Sequence, residues 1–266
     1  MTFEDKTCCP EETDAQEQDN TEAVWLPDTP VGIIGALDEE IALLLKTLEL
    51  EEKKKVAGIT FYFGKIHCHN VIVCKSGIGK VNAAFTAQIL IDRFCVGCIL
   101  FTGTTGAIGR GIRIGDAIIS TSTLQYDVDF SAIGFPLGTI PFLKTSVFNA
   151  DLRLVALAAK SAAANEQRAF KGIILTGDRF VASEKLARFL EERFNGLCVE
   201  AEGGAVGQVC YLNKIPFVVI RGISDQADND AGETFNEFLE LAARSAERVV
   251  LTMLSHWDKL KCACLE

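Results

Sequence analysis

Four carboxylates stand out by where they fall along the chain. Glu40 closes Gly35-Ala-Leu-Asp-Glu-Glu40, Glu200 and Glu202 sit in Glu200-Ala-Glu-Gly203, and Asp225 closes Gly222-Ile-Ser-Asp225. Each of these segments follows a short apolar run that reads as a β-strand. Two more strand-like runs end the same way, in Gly103-Thr-Thr-Gly106 and Gly177-Asp-Arg-Phe-Val181. Ligands of α/β sheets bind beyond the carboxyl ends of strands, so one crevice could collect all five segments. Carboxylates gathered there can hold and pass protons.

Each segment also has a plainer reading. Asp38, Glu39 and Glu40 would suit the first turn of a helix, where the dipole favours negative charge. Asp225, after Ser224, could merely cap. Glu200 and Glu202 are harder to dismiss, because two residues apart on a buried strand they share a face. Gly77-Ile-Gly-Lys80 resembles a phosphate loop but has Cys74 where the first glycine should be and Val81 where the hydroxyl should be. It fails as a dinucleotide fingerprint as well, with Asn82 in place of the third glycine. It is expected to form a close-approach turn, with Ile78 within reach of a ligand.

The elements that must position these residues alternate, as in a sheet covered by helices on both faces. Strands are expected at 31–34, 59–65, 70–74, 98–102, 116–123, 172–176, 197–199 and 217–221. Helices are expected at 38–50, 81–94, 151–165, 183–195, 203–213 and 232–259, with Ser183 as an N-cap. Gly134, Pro136, Gly138 and Pro141 make 130–146 a loop. The fold class is α/β: a single domain with a central mixed twisted sheet flanked by helices.

Composition narrows the function classes. The chain has 266 residues, 48% of them hydrophobic, enough for a sizeable core. Residues 1–29 carry nine acidic side chains and one Lys, or −8 of the formal −10, which leaves the rest near neutral. That is no nucleic-acid footprint. This polar, acidic opening is expected to be mobile. The catalytic domain is expected over 30–260 and a short tail over 261–266. No stretch suits a membrane span or a signal peptide, so a cytoplasmic protein is expected.

Ten cysteines without an export signal read as reduced thiols. Cys95 and Cys98 form a CxxC that no second pair completes, so buried packing is expected there. His67 and His69 are expected on one solvated strand face. Neither set makes a metal site.

With these segments assembled, the chain resembles the methylthioadenosine/S-adenosylhomocysteine nucleosidases of the nucleoside phosphorylase superfamily. The resemblance rests on Gly32-Ile-Ile-Gly-Ala-Leu-Asp-Glu-Glu40, Ser76-Gly-Ile-Gly-Lys80, Ile114-Gly-Asp-Ala-Ile118, Gln125-Tyr-Asp-Val-Asp129 and Arg221-Gly-Ile-Ser-Asp225, in the family's order and approximate spacing. It implies that Asp225, steadied by Ser224, protonates adenine N7, and that Glu40 activates the attacking water. It places Glu202 on the ribose hydroxyls, with Glu200 and Ala201 beside it. Thr104 stands where the family has a Ser near the water, and Arg221 supports the same region. Phe180 and Val181 match residues that stack on adenine and read its edge, and Phe235 matches a wall of the 5'-substituent pocket.

Breaking an N-glycosidic bond builds an oxocarbenium-like ribose and an electron-rich purine, which calls for negative charge near the sugar and a proton near N7. A phosphorylase would instead have to seat a phosphate dianion, and Asp38, Glu39 and Glu40 would repel it. Water is therefore the expected nucleophile. One departure is Ala201, where the family usually has Met, and weaker or broader binding is its expected consequence. A non-catalytic nucleoside-binding module is the rival from another class. Hydrolysis of other adenine nucleosides, such as 5'-deoxyadenosine or aminodeoxyfutalosine, is the rival within enzymes. Phe235, Ile133, Phe135 and Pro141 suggest a greasy 5' pocket, unsuited to a phosphate. The resemblance implies a homodimer in which the loop 130–141 reaches the neighbouring site, and no metal or organic cofactor.

Overall fold

A computed structural model describes residues 29–257. The expectations for residues 1–28, for the 261–266 tail and for the end of the last helix lie outside these residues. Ten strands form one mixed sheet. They are β1 (Val31–Gly35), β2 (Glu49–Val56), β3 (Ile59–Ile66), β4 (His69–Lys75), β5 (Cys98–Ala107), β6 (Ala117–Gln125), β7 (Val147–Asn149), β8 (Ala169–Thr176), β9 (Gly196–Glu200) and β10 (Phe217–Asp225). The helices are α1 (Ala42–Thr47), α2 (Lys80–Phe94), α3 (Leu152–Ala164), α4 (Glu184–Phe194), α5 (Gly203–Asn213) and α6 (Ala231–Ser255).

The sheet runs β10-β6-β8-β9-β5-β1-β4-β3-β2, and β5 also pairs with β10. Strands β5, β10, β6, β8 and β9 therefore close on themselves, while β1, β4, β3 and β2 extend the sheet from β5. All ten residues of β5 are buried. Its first half pairs with β1, Ile99 through Gly106 pair with β10, and Gly106 and Ala107 also pair with β9. This reach makes β5 longer than its apolar run, so Thr104 lies inside the strand rather than after it. Strand β10 likewise continues through Ser224 and Asp225, with a register shift between Ile223 and Asp225. Such a bulge re-aims the side chains beside it.

Three expectations fail locally. The helix expected over 38–50 shrinks to α1, because Asp38, Glu39 and Glu40 lie in a turn in which Glu40 N–H donates to Leu37 O and Ile41 N–H to Asp38 O, each at 3.3 Å. The segment after α1 is instead strand β2. Seven of its eight residues are exposed, so no apolar alternation announces it, and pairing with β3 gives it its shape. His67 leaves the strand face for a two-residue hairpin turn with Cys68, both at positive φ (49° and 68°). Within the loop at 130–146, residues Ser131–Ile133 form a single helical turn.

Cys68, Cys74, Cys98, Cys198 and Cys210 are free thiols, and all but Cys68 are buried. Cys95 departs from the expectation of reduced thiols, being disulfide-bonded. It is only half-buried, at the left-handed C-cap of α2, and so is more accessible than the buried thiols. Among the described residues no helix is long and apolar enough to cross a membrane.

Candidate active site

A cavity of about 350 Å³ opens at the carboxyl ends of β1, β4, β5, β8, β9 and β10. Glu40, Ile78, Thr104, Phe180, Val181, Glu200, Ala201, Glu202, Ser224, Asp225 and Phe235 all line it. Glu40 and Asp225, far apart in sequence, are thus brought to one cavity by the ends of β1 and β10.

Glu40 is 2% exposed. Its Oε2 accepts the backbone N–H groups of Ala36 (2.7 Å) and Leu37 (3.1 Å), which the end of β1 leaves unpaired. Its Oε1 accepts the N–H (2.8 Å) and hydroxyl (2.9 Å) of Thr104 on β5. All four contacts donate to the carboxylate. Three are fixed backbone donors, and only the Thr104 hydroxyl can rotate.

Glu200, which ends β9, and Glu202, the N-cap residue of α5, are held differently. Glu200 is held by Arg221 and by the Thr176 hydroxyl, and it accepts the N–H of Gly203 (2.8 Å) and Glu202 (3.1 Å) at the start of α5. Protein donors occupy both of its oxygens. Glu202 receives less: the Gly79 N–H at 2.9 Å and Arg221 Nη2 at 3.1 Å. Burial, opposed by Arg221 and reinforced by Glu200, pushes the Glu202 carboxyl up to about 7.

Arg221 is fully buried behind the cavity wall, with its guanidinium carbon 4.2 Å from the centre of the Phe101 ring. Burial works against its charge, but Glu200, Glu202 and Glu40 together hold its proton more tightly than usual. Among the described residues its Nε and Nη1 have no hydrogen-bond partner. Gly103 makes room for it, since a Cβ there would collide with the guanidinium.

Asp225, 2% exposed, occupies another part of the wall. Burial raises its carboxyl above the ordinary range, against the opposing hydrogen bonds from Ala227 N–H and the Ser224 hydroxyl. Phe180 and Phe235 meet edge-to-face with centroids 5.7 Å apart. The strand-end segment before Phe180 is pinned by an ionic clasp: Lys80 Nζ lies 2.6 Å from Asp127, Lys80 N–H donates to Asp178 (2.8 Å), and Asp178 N–H donates to Asp127 (2.9 Å).

Ile133 and Pro141 are not brought to this cavity. Ile133 is 66% exposed, and neither residue is among those that line the cavity beside Phe235. Within one chain they form no pocket wall, and Arg221 acts only from behind the wall. Ala36, Leu37, Gly79 and Asp178 were not anticipated as lining residues. Their part is played largely through backbone N–H groups, for which side-chain identity gives no signal; only their place in the strand-end and glycine-rich segments could have pointed to them.

The phosphorylase superfamily model matches residues 30–255. A 5'-methylthioadenosine/S-adenosylhomocysteine nucleosidase of Oceanobacillus iheyensis is 38% identical over 225 residues, covering 84% of this chain and 98% of that protein. The crystal structure of the Neisseria meningitidis nucleosidase of the same name, in complex with methylthio-immucillin-A, superposes with a TM-score of 0.83 at 34% identity, over 85% of this chain and 99% of that one. A futalosine hydrolase of Helicobacter pylori also matches, with a TM-score of 0.83 and 34% identity over 86% of this chain and 98% of that one. The chain belongs to the 5'-methylthioadenosine/S-adenosylhomocysteine nucleosidase family, within the phosphorylase superfamily.

Proposed function

We propose that the protein hydrolyses the N-glycosidic bond of 5'-methylthioadenosine and S-adenosylhomocysteine, releasing adenine and the thio-substituted ribose. The observation that carries water as nucleophile is the fourfold contact of Glu40. The N–H groups of Ala36, Leu37 and Thr104 are the donors an incoming phosphate would use, and the protein's own carboxylate already fills them. Phosphate would meet occupied donors and a fixed negative charge.

In this reading Asp225 delivers a proton to adenine N7. Its raised affinity for protons suits a donor, and its seat at the bulge of β10 fixes its direction. Glu40 takes a proton from water once the Thr104 hydroxyl rotates and frees one Oε1 lone pair. The unpartnered Nε and Nη1 of Arg221 support the same region. Glu202 binds the ribose hydroxyls, with Glu200 and Ala201 completing that wall. Phe180 and Val181 hold adenine, and Phe235 faces the 5' substituent. The 5' end takes a thioether more readily than a phosphate.

The same reading includes a homodimer whose loop 130–141 carries Ile133 and Pro141 to the partner's site. The exposure of Phe130, Ile133 and Phe142 within or beside this one loop supports it, because large apolar side chains clustered in water suit a contact surface. Sedimentation at micromolar concentration should give twice the chain mass. The catalytic domain spans 30–260 in this reading, and the site of action is the cytoplasm.

The test is adenine release from methylthioadenosine in phosphate-free buffer, repeated with phosphate, with S-adenosylhomocysteine and aminodeoxyfutalosine as parallel substrates. Free methylthioribose in both buffers supports hydrolysis. Strict dependence on phosphate, with methylthioribose-1-phosphate formed, overturns it. Cleavage of aminodeoxyfutalosine alone would move the assignment to that substrate. Nucleoside binding without turnover, unchanged in Asp225→Asn, would make the protein a binding module.

A further inference from the structure

Helix α1 begins two residues after Glu40, and its N-cap residue is Ile41, whose side chain cannot accept a hydrogen bond. The cap comes from elsewhere. Glu247, on α6, is fully buried, and its Oε1 accepts the N–H groups of Leu43 (2.8 Å) and Leu44 (3.1 Å), about two hundred residues away in sequence. These are the second and third residues of α1. They begin three residues after Glu40 and are joined to it by the turn in which Ile41 N–H donates to Asp38 O.

A six-residue helix cannot hold its own start, because nucleation is unfavourable over so short a length. Without Glu247, the buried Leu44 N–H would be unsatisfied and the partly buried Leu43 N–H would lose its partner. The turn that carries Glu40 would then lose its anchor on the α1 side. Leu44 is fully buried as well, so α1 is pinned by packing at the same place. Among the described residues the Glu247 Oε2 has no hydrogen-bond partner, so the two α1 N–H groups are the hydrogen bonds this carboxylate makes. Burial raises its proton affinity, against the opposing hydrogen bonds from the Leu44 and Leu43 N–H groups.

We propose that Glu247 is a positioning residue for Glu40: by capping α1 from α6 it fixes the turn on which the water-activating carboxylate stands. The claim rests on the hydrolase reading for its kinetic consequences but not for its structural ones. The same helix carries Phe235 on the cavity wall. One rigid element therefore contacts both the 5' end of the pocket and the support of Glu40.

The experiment compares Glu247→Ala with Glu247→Gln, which keeps one carbonyl oxygen for the two N–H groups. Loss of alignment should lower kcat for methylthioadenosine by about tenfold in Glu247→Ala, with KM within about twofold of wild type. Glu247→Gln should restore kcat to within about threefold of wild type. Amide hydrogen exchange gives a readout that needs no turnover. Ala36 and Leu37 donate to Glu40, so their N–H groups report its position, and they should exchange at least about tenfold faster in Glu247→Ala than in Glu247→Gln.

A Glu247→Ala protein that melts earlier but keeps wild-type kcat and wild-type exchange at Ala36 and Leu37 overturns the proposal, leaving Glu247 merely structural. So does an equal loss of kcat in both variants. If Glu247→Ala does not fold, Glu247→Asp, one methylene too short to reach α1, makes the same comparison. A wild-type protein that cleaves no nucleoside would end the hydrolase reading, and the exchange comparison would still decide the role of Glu247.

Discussion

The Ser224 hydroxyl lies 2.8 Å from Asp225 Oδ2 and 3.2 Å from the carbonyl oxygen of Thr105, so one proton faces two acceptors. When Asp225 is ionised, the hydroxyl serves the carboxylate; when Asp225 carries its proton, the hydroxyl is free to turn to Thr105. The contact with the charged form draws the Asp225 carboxyl down, against the burial that raises it. Removing the hydroxyl should therefore raise proton affinity further. A general acid must be protonated to work, so in Ser224→Ala the alkaline fall of kcat/KM should move to higher pH. The plateau should drop by about tenfold through lost orientation. A pH–rate profile of the two proteins checks both. A limb that moves to lower pH would contradict the assignment.

Glu40→Gln is predicted to cost both rate and stability. Each carboxylate oxygen accepts two donors, so whichever way the amide lies, its NH2 group faces a pair of them. The buried mismatch should cost about 1–3 kcal/mol in urea unfolding. With no base, kcat should fall by about 10²- to 10⁴-fold while KM changes little. Glu202→Gln should behave differently, acting mainly through KM if Glu202 holds the ribose. Equal kcat losses with unchanged KM in both variants would show that the roles are not divided in this way.

The fold was legible wherever apolar runs were buried. Strands β1 and β4 and helices α2, α4 and α5 match their expected spans to within one residue at each end, while β8 begins three residues before its expected span. The Ser183 cap is realised, its hydroxyl accepting the Leu186 N–H at 3.5 Å. β2 was hidden because its stability comes from its partner strand. The closing of the sheet through β5 was hidden too, since pairing partners leave no trace in local periodicity. In the site, the carboxylates and aromatics were readable as side chains after strands. Thr104 and Arg221 were readable too, but the N–H groups of Ala36, Leu37 and Gly79 that also hold Glu40 and Glu202 were not, because they are main-chain groups. The cap on α1 was invisible for a third reason: donor and acceptor lie some two hundred residues apart.

Gly103→Ala adds only a methyl group, yet it should disable the site. That methyl would strike the Arg221 guanidinium and come within 2.9 Å of Glu40 Oε1. Neither neighbour can retreat: Arg221 stacks on Phe101 and pairs with Glu200, and Glu40 is held by four donors. Overpacking of this kind costs about 1–3 kcal/mol, and displacing Glu40 by a fraction of an ångström should lower kcat by at least about tenfold. Urea unfolding together with steady-state kinetics tests it. A variant with wild-type stability and rate would show that the wall yields more easily than its contacts suggest.

The buried carboxyl of Glu247 should make stability depend on pH in a window that its substitution removes. In the folded protein burial lifts it from 4.5 to about 7, so between these values the folded state binds a proton that the unfolded chain has released. Stability from this group is fully present below about pH 4.5, falls as pH rises, and is gone above about 7. Gln does not titrate and keeps the contact to α1. Relative to wild type, Glu247→Gln should therefore become more stable as pH rises, by up to roughly 3 kcal/mol for a shift of this size. That corresponds to a gain of roughly 5 °C or more in relative Tm for a domain of this length. Glu202, raised for similar reasons, is unchanged in both proteins, so its contribution cancels. Thermal melts of the pair at pH 5 and pH 8 decide the matter. A Tm difference that is flat with pH would mean that Glu247 stays ionised on folding, its charge stabilised by the two N–H groups it caps.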